Sequence, residues 1–287
     1  MPNETLSSSL EMSSYQKKIV QYIDVDLKPL PTSVTRVLNA VDNQMSNAGF
    51  IGELLGLDHV LAARVLQAAN SAYLGYGPSC SSLTDAVVRL GFRRVKTMVL
   101  GVVTSSSLET ALKGYQYSST DLWNHSIAVA TAAQWIARAI SYENPEEAYV
   151  AGLIHDIGKT ALNHIIVVIR EKFYTVKEER DLPFYRVERL FFGLDHAYVG
   201  GMMAKKWNFP ERLLLGIKHH HTPNESTDDG YLASIVNIAN ACNPYNNSKV
   251  NNYGTDNIHS SSFDILGLSK ESVFEKIVEL FSYYQNS

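Results

Sequence analysis

The chain has 287 residues, 45% of them hydrophobic, with 25 Lys+Arg against 29 Asp+Glu and a formal net charge of −4; this is an ordinary core-forming composition, and the length predicts one or two packed subdomains. The slightly acidic balance, without any Lys/Arg block, lacks the electrostatic footprint that phosphate-backbone binding requires and argues against nucleic acid as the principal ligand. The longest apolar runs, such as Ile165–Ile169 and Met98–Val103, fall far short of the ~20 residues that span a bilayer, so no membrane role is expected.

Residues 1–14 are polar and Ser-rich, with no basic segment leading into an apolar one, and read as a loose tail rather than a signal peptide. From there the periodicity is helical nearly throughout. Behind Pro29-Leu30-Pro31, with Thr32/Ser33 as cap, Val34, Val37, Leu38 and Val41 predict an amphipathic helix. A second helix is expected over Asp58 to Leu74 on Leu61, Val65, Ala68 and Ala69, ending where Gly75, Gly77 and Pro78 break the pattern. Ser81 to Thr84 supply caps for a third over Asp85 to Leu90, and Arg93 to Val103 reads as a buried helix. Gly114 to Thr120 is polar and turn-rich, the best boundary candidate in the first half.

Beyond it, helices are expected over Asp121 to Ile140, Pro145 to Leu162 (opened by Pro145 in its first turn), Asp195 to Trp207 and Pro210 to Lys218. Residues 222–230 are a polar loop, Tyr231 to Cys242 a further helix, and 243–257 an Asn- and Pro-dense loop. Ser269 caps a last helix facing inward through Val273, Phe274 and Ile277. No repeat or hairpin signal is present, and the expected class is all-α. Cys80 and Cys242 form no CxxC pair and read as buried thiols of a reducing, cytoplasmic compartment.

The chemistry concentrates in the second half. His125, His155, His196, His220 and His221 lie in or at the ends of its helices, and Asp156 follows His155 directly. Imidazole nitrogens with a carboxylate suit first-row divalent metals such as Fe, Mn, Co, Ni or Zn, in a mononuclear or dinuclear site. The run Gly152 to Lys159 sets two ligand types side by side near a bend permitted by Gly158, with Lys159 one turn on from His155, where an ammonium could meet a metal-bound phosphate. Singly these are weak signals. A lone histidine such as His125 is more often a hydrogen-bonded core or surface group than a ligand, and His219-His220-His221 could be a solvated helix end. Asp121, one turn before His125, reads as an N-cap rather than a ligand by about two to one. His164 and His259 have no constellation and read as structural, and Met202-Met203, Trp123 and Trp135 as core packing.

At this point the chain resembles a family. Leu30-Pro31, Leu57 to Leu66, Ala69-Asn70-Ser71-Ala72-Tyr73, Ala86 to Gly91, Leu122 to Ser126, Ala151 to Lys159, His196 to Gly200, Lys206 to Glu211 and Ile217 to Pro223 together look like an HDOD domain, a helical output module of bacterial signalling proteins related to the HD phosphohydrolases. The resemblance spans about residues 15–285. It implies two lobes: an N-terminal helical bundle over 15–118 and an HD-like helical core over 119–245, with 246–287 as a loop and a C-terminal helix packing on them.

The same resemblance implies a ligand set. The active HD and HD-GYP relatives bind one to three metals through His, His-Asp, His, His-His and a final Asp, and hydrolyse phosphoesters, cyclic dinucleotides included. The matching positions are His125, His155, Asp156, His196, His220 and His221, with Asn240 where the final Asp belongs. A neutral amide there removes a negative charge from a dication site, so loss of hydrolysis is expected, while binding of Fe, Mn, Ni or Zn stays open. The Glu expected after the paired histidines is Thr222, and Asp229-Gly230-Tyr231 is a chance echo of the GYP signature. His59 stands where the family has proline, at a helix start.

Two functions follow as expectations. The first is a cytoplasmic regulatory module that binds a signalling protein or a small nucleotide-like ligand without turnover. The alternative is a metal-dependent phosphohydrolase in which Asp156 and Lys159 are the catalytic residues. The crevice between the lobes is the expected binding surface, with Asn70, Ser71 and Arg89 lining or bracing it, though Asn70 and Ser71 read equally well as helix-capping or packing residues. With no receiver or output domain in this sequence, a signal is expected to arrive by binding.

Overall fold

In the computed structural model, residues 13–70, 80–108, 111–242, 258–269 and 271–272 are described. Helix α1 (Ser14–Gln21) opens with a capping box in which Ser13 and Gln16 satisfy each other's backbone amides, and runs into a π-helical segment, Tyr22–Asp26. Then come α2 (Thr32–Asp42), α3 (Ala48–Gly56), α4 (His59–Ala69), α5 (Leu83–Leu90) and α6 (Phe92–Leu108). α2 buries the expected stripe of Val34, Val37, Leu38 and Val41. Asn47, Asp58 and Ser82 cap α3, α4 and α5. Of the helix expected to reach Leu74, α4 accounts for the part up to Ala69; residues 71–79 lie outside the described ones.

The second group comprises α7 (Ser119–Ala139), α8 (Pro145–Ile154), α9 (Gly158–Val168), α10 (Arg170–Glu179), α11 (Phe184–Phe192), α12 (His196–Lys206), α13 (Glu211–Lys218), α14 (Tyr231–Ala241) and α15 (Ser260–Leu266). Pro145 stands at the start of α8 as expected. The single helix expected over 145–162 is instead two, because residues 155–157 form a turn and Gly158 packs against the backbone of His196 and Gly200, where any Cβ would collide. That break carries His155 and Asp156 out of regular helix and into the space between α7, α12 and α13. The elements α1, α3, α10, α11 and α15 had no place in the expected series.

α7 and α8 pack with Gly152 against Val129 and the Ala130 backbone, where a Cβ would come within 2.8 Å of the Ala130 Cα. α6 packs on α8 and joins the N-terminal group to the second one, α12 lies against α9 and α13, and α14 against α7, α8 and α13. One continuous apolar core runs from Ile19 to Leu266 through both groups. Each fully buried large side chain in it, such as Leu55, Leu100 or Phe173, contributes roughly 1.5–3 kcal/mol of burial. Among the described residues there is no strand, only an isolated bridge between Leu112 and Tyr117, and no helix is long and apolar enough to cross a membrane. The expected last helix after Ser269 is described only to Ser272, whose amide donates to Ser269 Oγ.

Candidate metal centre

All six ligand-type residues named from the sequence converge on one buried site. His155, Asp156 and His220 are fully buried, His196 and His125 nearly so, and His221 is half-buried. α7 delivers His125, the α8–α9 turn His155 and Asp156, the first residue of α12 His196, and the turn after α13 His220 and His221. They form two triads whose donor atoms lie within 4.8 Å of one another: His125, His155 and Asp156, and His196, His220 and His221. Asp156 joins them. Its Oδ2 lies 3.3 Å from His125 Nε2 and 3.5 Å from His155 Nε2, and its Oδ1 3.1 Å from His196 Nε2.

The outer nitrogens of three rings are already engaged. His155 Nδ1 is 2.7 Å from the Gly152 carbonyl, His220 Nδ1 2.7 Å from the Ile217 carbonyl, and His196 Nδ1 2.7 Å from Glu188 Oε2. A carbonyl or carboxylate can only accept, so each Nδ1 carries the proton, and in the neutral ring Nε2 presents a lone pair to the interior. This outer-partner arrangement is the one that fixes metal-binding imidazoles. His125 Nε2 and His155 Nε2 are 3.2 Å apart and His221 Nε2 and His196 Nε2 3.0 Å apart, while His220 Nε2 has no hydrogen-bond partner. Ring nitrogens and a carboxylate crowded together in a dry site, one nitrogen orphaned, fit a cation with nitrogen and oxygen preference.

The electrostatics agree. Burial drives the imidazole of His155 down to about 3 and holds His220 and His221 well below the usual histidine range, so these rings are neutral. His196 is opposed by burial too, but the Glu188 and Asp156 carboxylates outweigh it and raise it to about 9. Burial also opposes ionisation of Asp156, yet the charges of Lys159 and His196 beside it keep it well below the carboxylate range. Lys159 Nζ lies 2.6 Å from Asp156 Oδ2 and 5.3–5.9 Å from the ring centres of Tyr117, Tyr115 and Phe184. The ammonium is thus held against both burial and competition by one ion pair and an aromatic surround.

Sequence reasoning missed Glu188, Tyr115 and Asn237. Glu188, on α11, is fully buried; its Oε2 accepts from the amide and the Nδ1 of His196, and its Oε1 from the Tyr115 hydroxyl. Tyr115 lies within the stretch read as a polar boundary, and is itself buried. Asn237, on α14, donates to the His220 carbonyl and accepts from the His259 amide and Ser262 Oγ. Asn240 is half-buried in the last turn of the same helix. Asp121 is not the N-cap expected from the sequence: Ser118 caps α7, and Asp121, in its first turn, accepts from the Ser118 amide to complete a capping box. Tyr185 stacks on His221 with centroids 4.2 Å apart. Of the residues expected at the interlobe crevice, Asn70 braces the chain through both Cys80 backbone groups and Arg89 donates to the Ala69 carbonyl, while Ser71 lies outside the described residues.

The HDOD domain family model matches residues 27–223. An uncharacterized protein of Treponema pallidum is 25% identical over 217 residues, 75% of this chain and 42% of that protein, and Ribonuclease Y of Ureaplasma parvum serovar 3 is 30% identical over 134 residues, 46% of this chain and 22% of that enzyme. The chain thus spans less than half the length of these curated relatives. Among solved structures, an HDOD domain protein of unknown function from Geobacter sulfurreducens superposes with a TM-score of 0.68 at 24% identity, covering 95% of each chain. A Shewanella amazonensis protein provisionally described as a phosphohydrolase gives 0.68 at 24% identity over 92% of this chain and 94% of that one. Likeness at that identity establishes the fold.

Proposed function

The chain belongs to the HDOD domain family, and from that premise we propose that it is a bacterial, cytoplasmic signal-transduction module built around a divalent transition-metal centre, which binds a protein or small nucleotide-like phosphoester ligand without turning it over. The observation that carries this reading is the pair of inward lone pairs on His155 and His220, each fixed by an outward hydrogen bond to a backbone carbonyl, beside His196, whose ring Glu188 orients. One or two ions would be held by the two triads, with Asp156 shared between them. A bound ion would supply Lewis-acid attraction for a phosphoryl oxygen. This chain's own contributions are then specific: Glu188 orients the His196 ring, Tyr115 orients Glu188, and Lys159 keeps a cation beside Asp156 to offset the charge of a phosphate.

Absence of turnover rests on Asn240, an amide at the position where the catalytic relatives carry a carboxylate. A second reading, a metal-dependent phosphohydrolase, draws support from the Lys159–Asp156 pair at 2.6 Å, which is costly to bury unless it is used or very well compensated. The test is metal analysis followed by assay of the loaded protein on a cyclic dinucleotide and a nucleoside phosphate. Bound metal with turnover far below ~1 per second supports the regulatory reading, and turnover near that rate, within the ordinary enzyme range, replaces it with the hydrolytic one.

A further inference from the structure

The polar, turn-rich stretch at residues 111–118, between α6 and α7, buries its large side chains. Leu112 and Tyr115 are each 1% exposed and Tyr117 is half-buried, while Lys113 and Gln116 are exposed. The stretch is braced by its own backbone. The Leu112 amide donates to the Tyr117 carbonyl at 2.9 Å, and the Tyr115 and Tyr117 amides both donate to the Leu112 carbonyl, at 2.9 and 3.2 Å. It is seated on α9, where the Gly114 amide donates to Asn163 Oδ1 at 2.8 Å. A Cβ on Gly114 would come within 2.9 Å of the Asn163 carbonyl oxygen, so the glycine is what permits the close seat.

Two chains of contacts lead from this seat into the His/Asp centre. In the first, the Tyr115 hydroxyl donates to Glu188 Oε1 at 2.8 Å, and the other oxygen of Glu188 holds the amide and ring Nδ1 of His196. In the second, the rings of Tyr115 and Tyr117 join Phe184 around Lys159 Nζ at 5.3–5.9 Å, and that ammonium holds Asp156 Oδ2 at 2.6 Å. One chain ends on the second triad and the other on the carboxylate shared by both. A third link is covalent, because Ser118 caps α7, the helix of His125. On its other side the stretch follows α6, which packs on α2, α4 and α5 of the N-terminal group. Unseating it would take the hydroxyl from a buried carboxylate and two aromatic faces from a buried ammonium at once, and both losses are costly in a dry site.

We propose that residues 111–118 are a coupling segment: their seating, through Tyr115 and Tyr117 as positioning residues, completes the metal centre, and metal binding in turn holds them seated. The inference rests on the metal-binding reading of the centre and adds to it the route by which that centre is regulated. A partner that bears on the N-terminal group and shifts α6 reaches the metal through this segment. By linkage, the metal then changes the affinity for that partner by the same factor.

Hydrogen–deuterium exchange of the full chain, with and without saturating zinc, tests the coupling directly. Exchange at the Tyr115 and Tyr117 amides is expected to slow about tenfold on zinc binding, within the ordinary range of coupling between sites, while α3, packed on α2, α4 and α5, keeps its rate. Tyr115→Phe retains the ring and removes only the hydroxyl. It is expected to weaken zinc binding several-fold, short of the ~10–100-fold cost of losing a histidine's direct outer partner, and to add nothing in a Glu188→Gln background, because it acts through that carboxylate. Bound zinc with slowing at residues 112–117 no greater than in α3, or a Tyr115→Phe effect of equal size in both backgrounds, would overturn this inference alone. A wild type that takes up no zinc overturns the metal reading and this inference with it, and metal analysis of the same samples tells the two failures apart.

Discussion

Glu188 holds His196 twice, through the backbone amide and through ring Nδ1, both at 2.7 Å from the same carboxylate oxygen. Its other oxygen takes the Tyr115 hydroxyl at 2.8 Å, so a buried carboxylate has every strong partner it needs. His196, which both starts α12 and belongs to the second triad, is therefore positioned by one group on α11.

Glu188→Gln keeps the shape and removes the charge. Metal affinity is expected to fall 10–100-fold, the usual cost of losing an outer partner of a metal-bound histidine. Competition titration against a chelating dye measures it, and an unchanged affinity would show that Glu188 serves packing alone.

The His155-Asp156 turn depends on Gly158, whose missing Cβ leaves room for the His196 carbonyl and the Gly200 amide. Gly158→Ala is expected to destabilise the fold by roughly 1–3 kcal/mol, as overpacking does, and to lower metal occupancy as well. Denaturant unfolding with parallel metal analysis reads both; a variant as stable and as metal-rich as the wild type would contradict the geometry.

In the proposed regulatory reading, Asn240 is the residue that withholds turnover. Asn240→Asp restores the carboxylate, and hydrolysis of a phosphodiester by the metal-loaded protein is expected to rise clearly above the wild-type background. If wild type and variant were equally inert, the missing carboxylate would not be what prevents turnover.

Cys242 is buried, and burial pushes its thiol up to about 12 from the ordinary 9.0. A raised folded value means that the unfolded chain gives up the proton first. The contribution is full below pH 9 and is lost as pH rises through about 12. Alkaline unfolding is expected to be shallower in Cys242→Ala than in the wild type, and Cys242 to resist alkylation until the protein is unfolded. Rapid labelling of Cys242 in the native protein would contradict its burial.

Much of the centre was legible because its ligands are few, chemically distinctive and locally grouped: His155-Asp156 and His220-His221 are neighbours in the chain, and no core needs three clustered imidazoles. Glu188 was not legible, because an acidic residue on an amphipathic helix reads as solvated. A signal was present nonetheless. Phe184, Glu188 and Phe192 fall on one face of α11, and a carboxylate inside an apolar stripe asks for a buried partner. Tyr115 was hidden by the polar turn residues around it, and Asn237 by a helix buried almost all round, where periodicity marks no face. The break between α8 and α9 escaped for a tertiary reason. Gly158 permits a bend locally, but the close approach of α12 is what requires it.

The most direct measurement of the central claim is elemental analysis of protein purified without a chelating column or added metal, wild type beside His155→Ala/Asp156→Ala. About one or two equivalents of Fe, Mn, Ni or Zn in the wild type and none in the variant is the expected result, from a donor set of this kind. A wild type as free of metal as the variant, and unable to take up metal on addition, would contradict it and leave the histidines as a buried hydrogen-bond network.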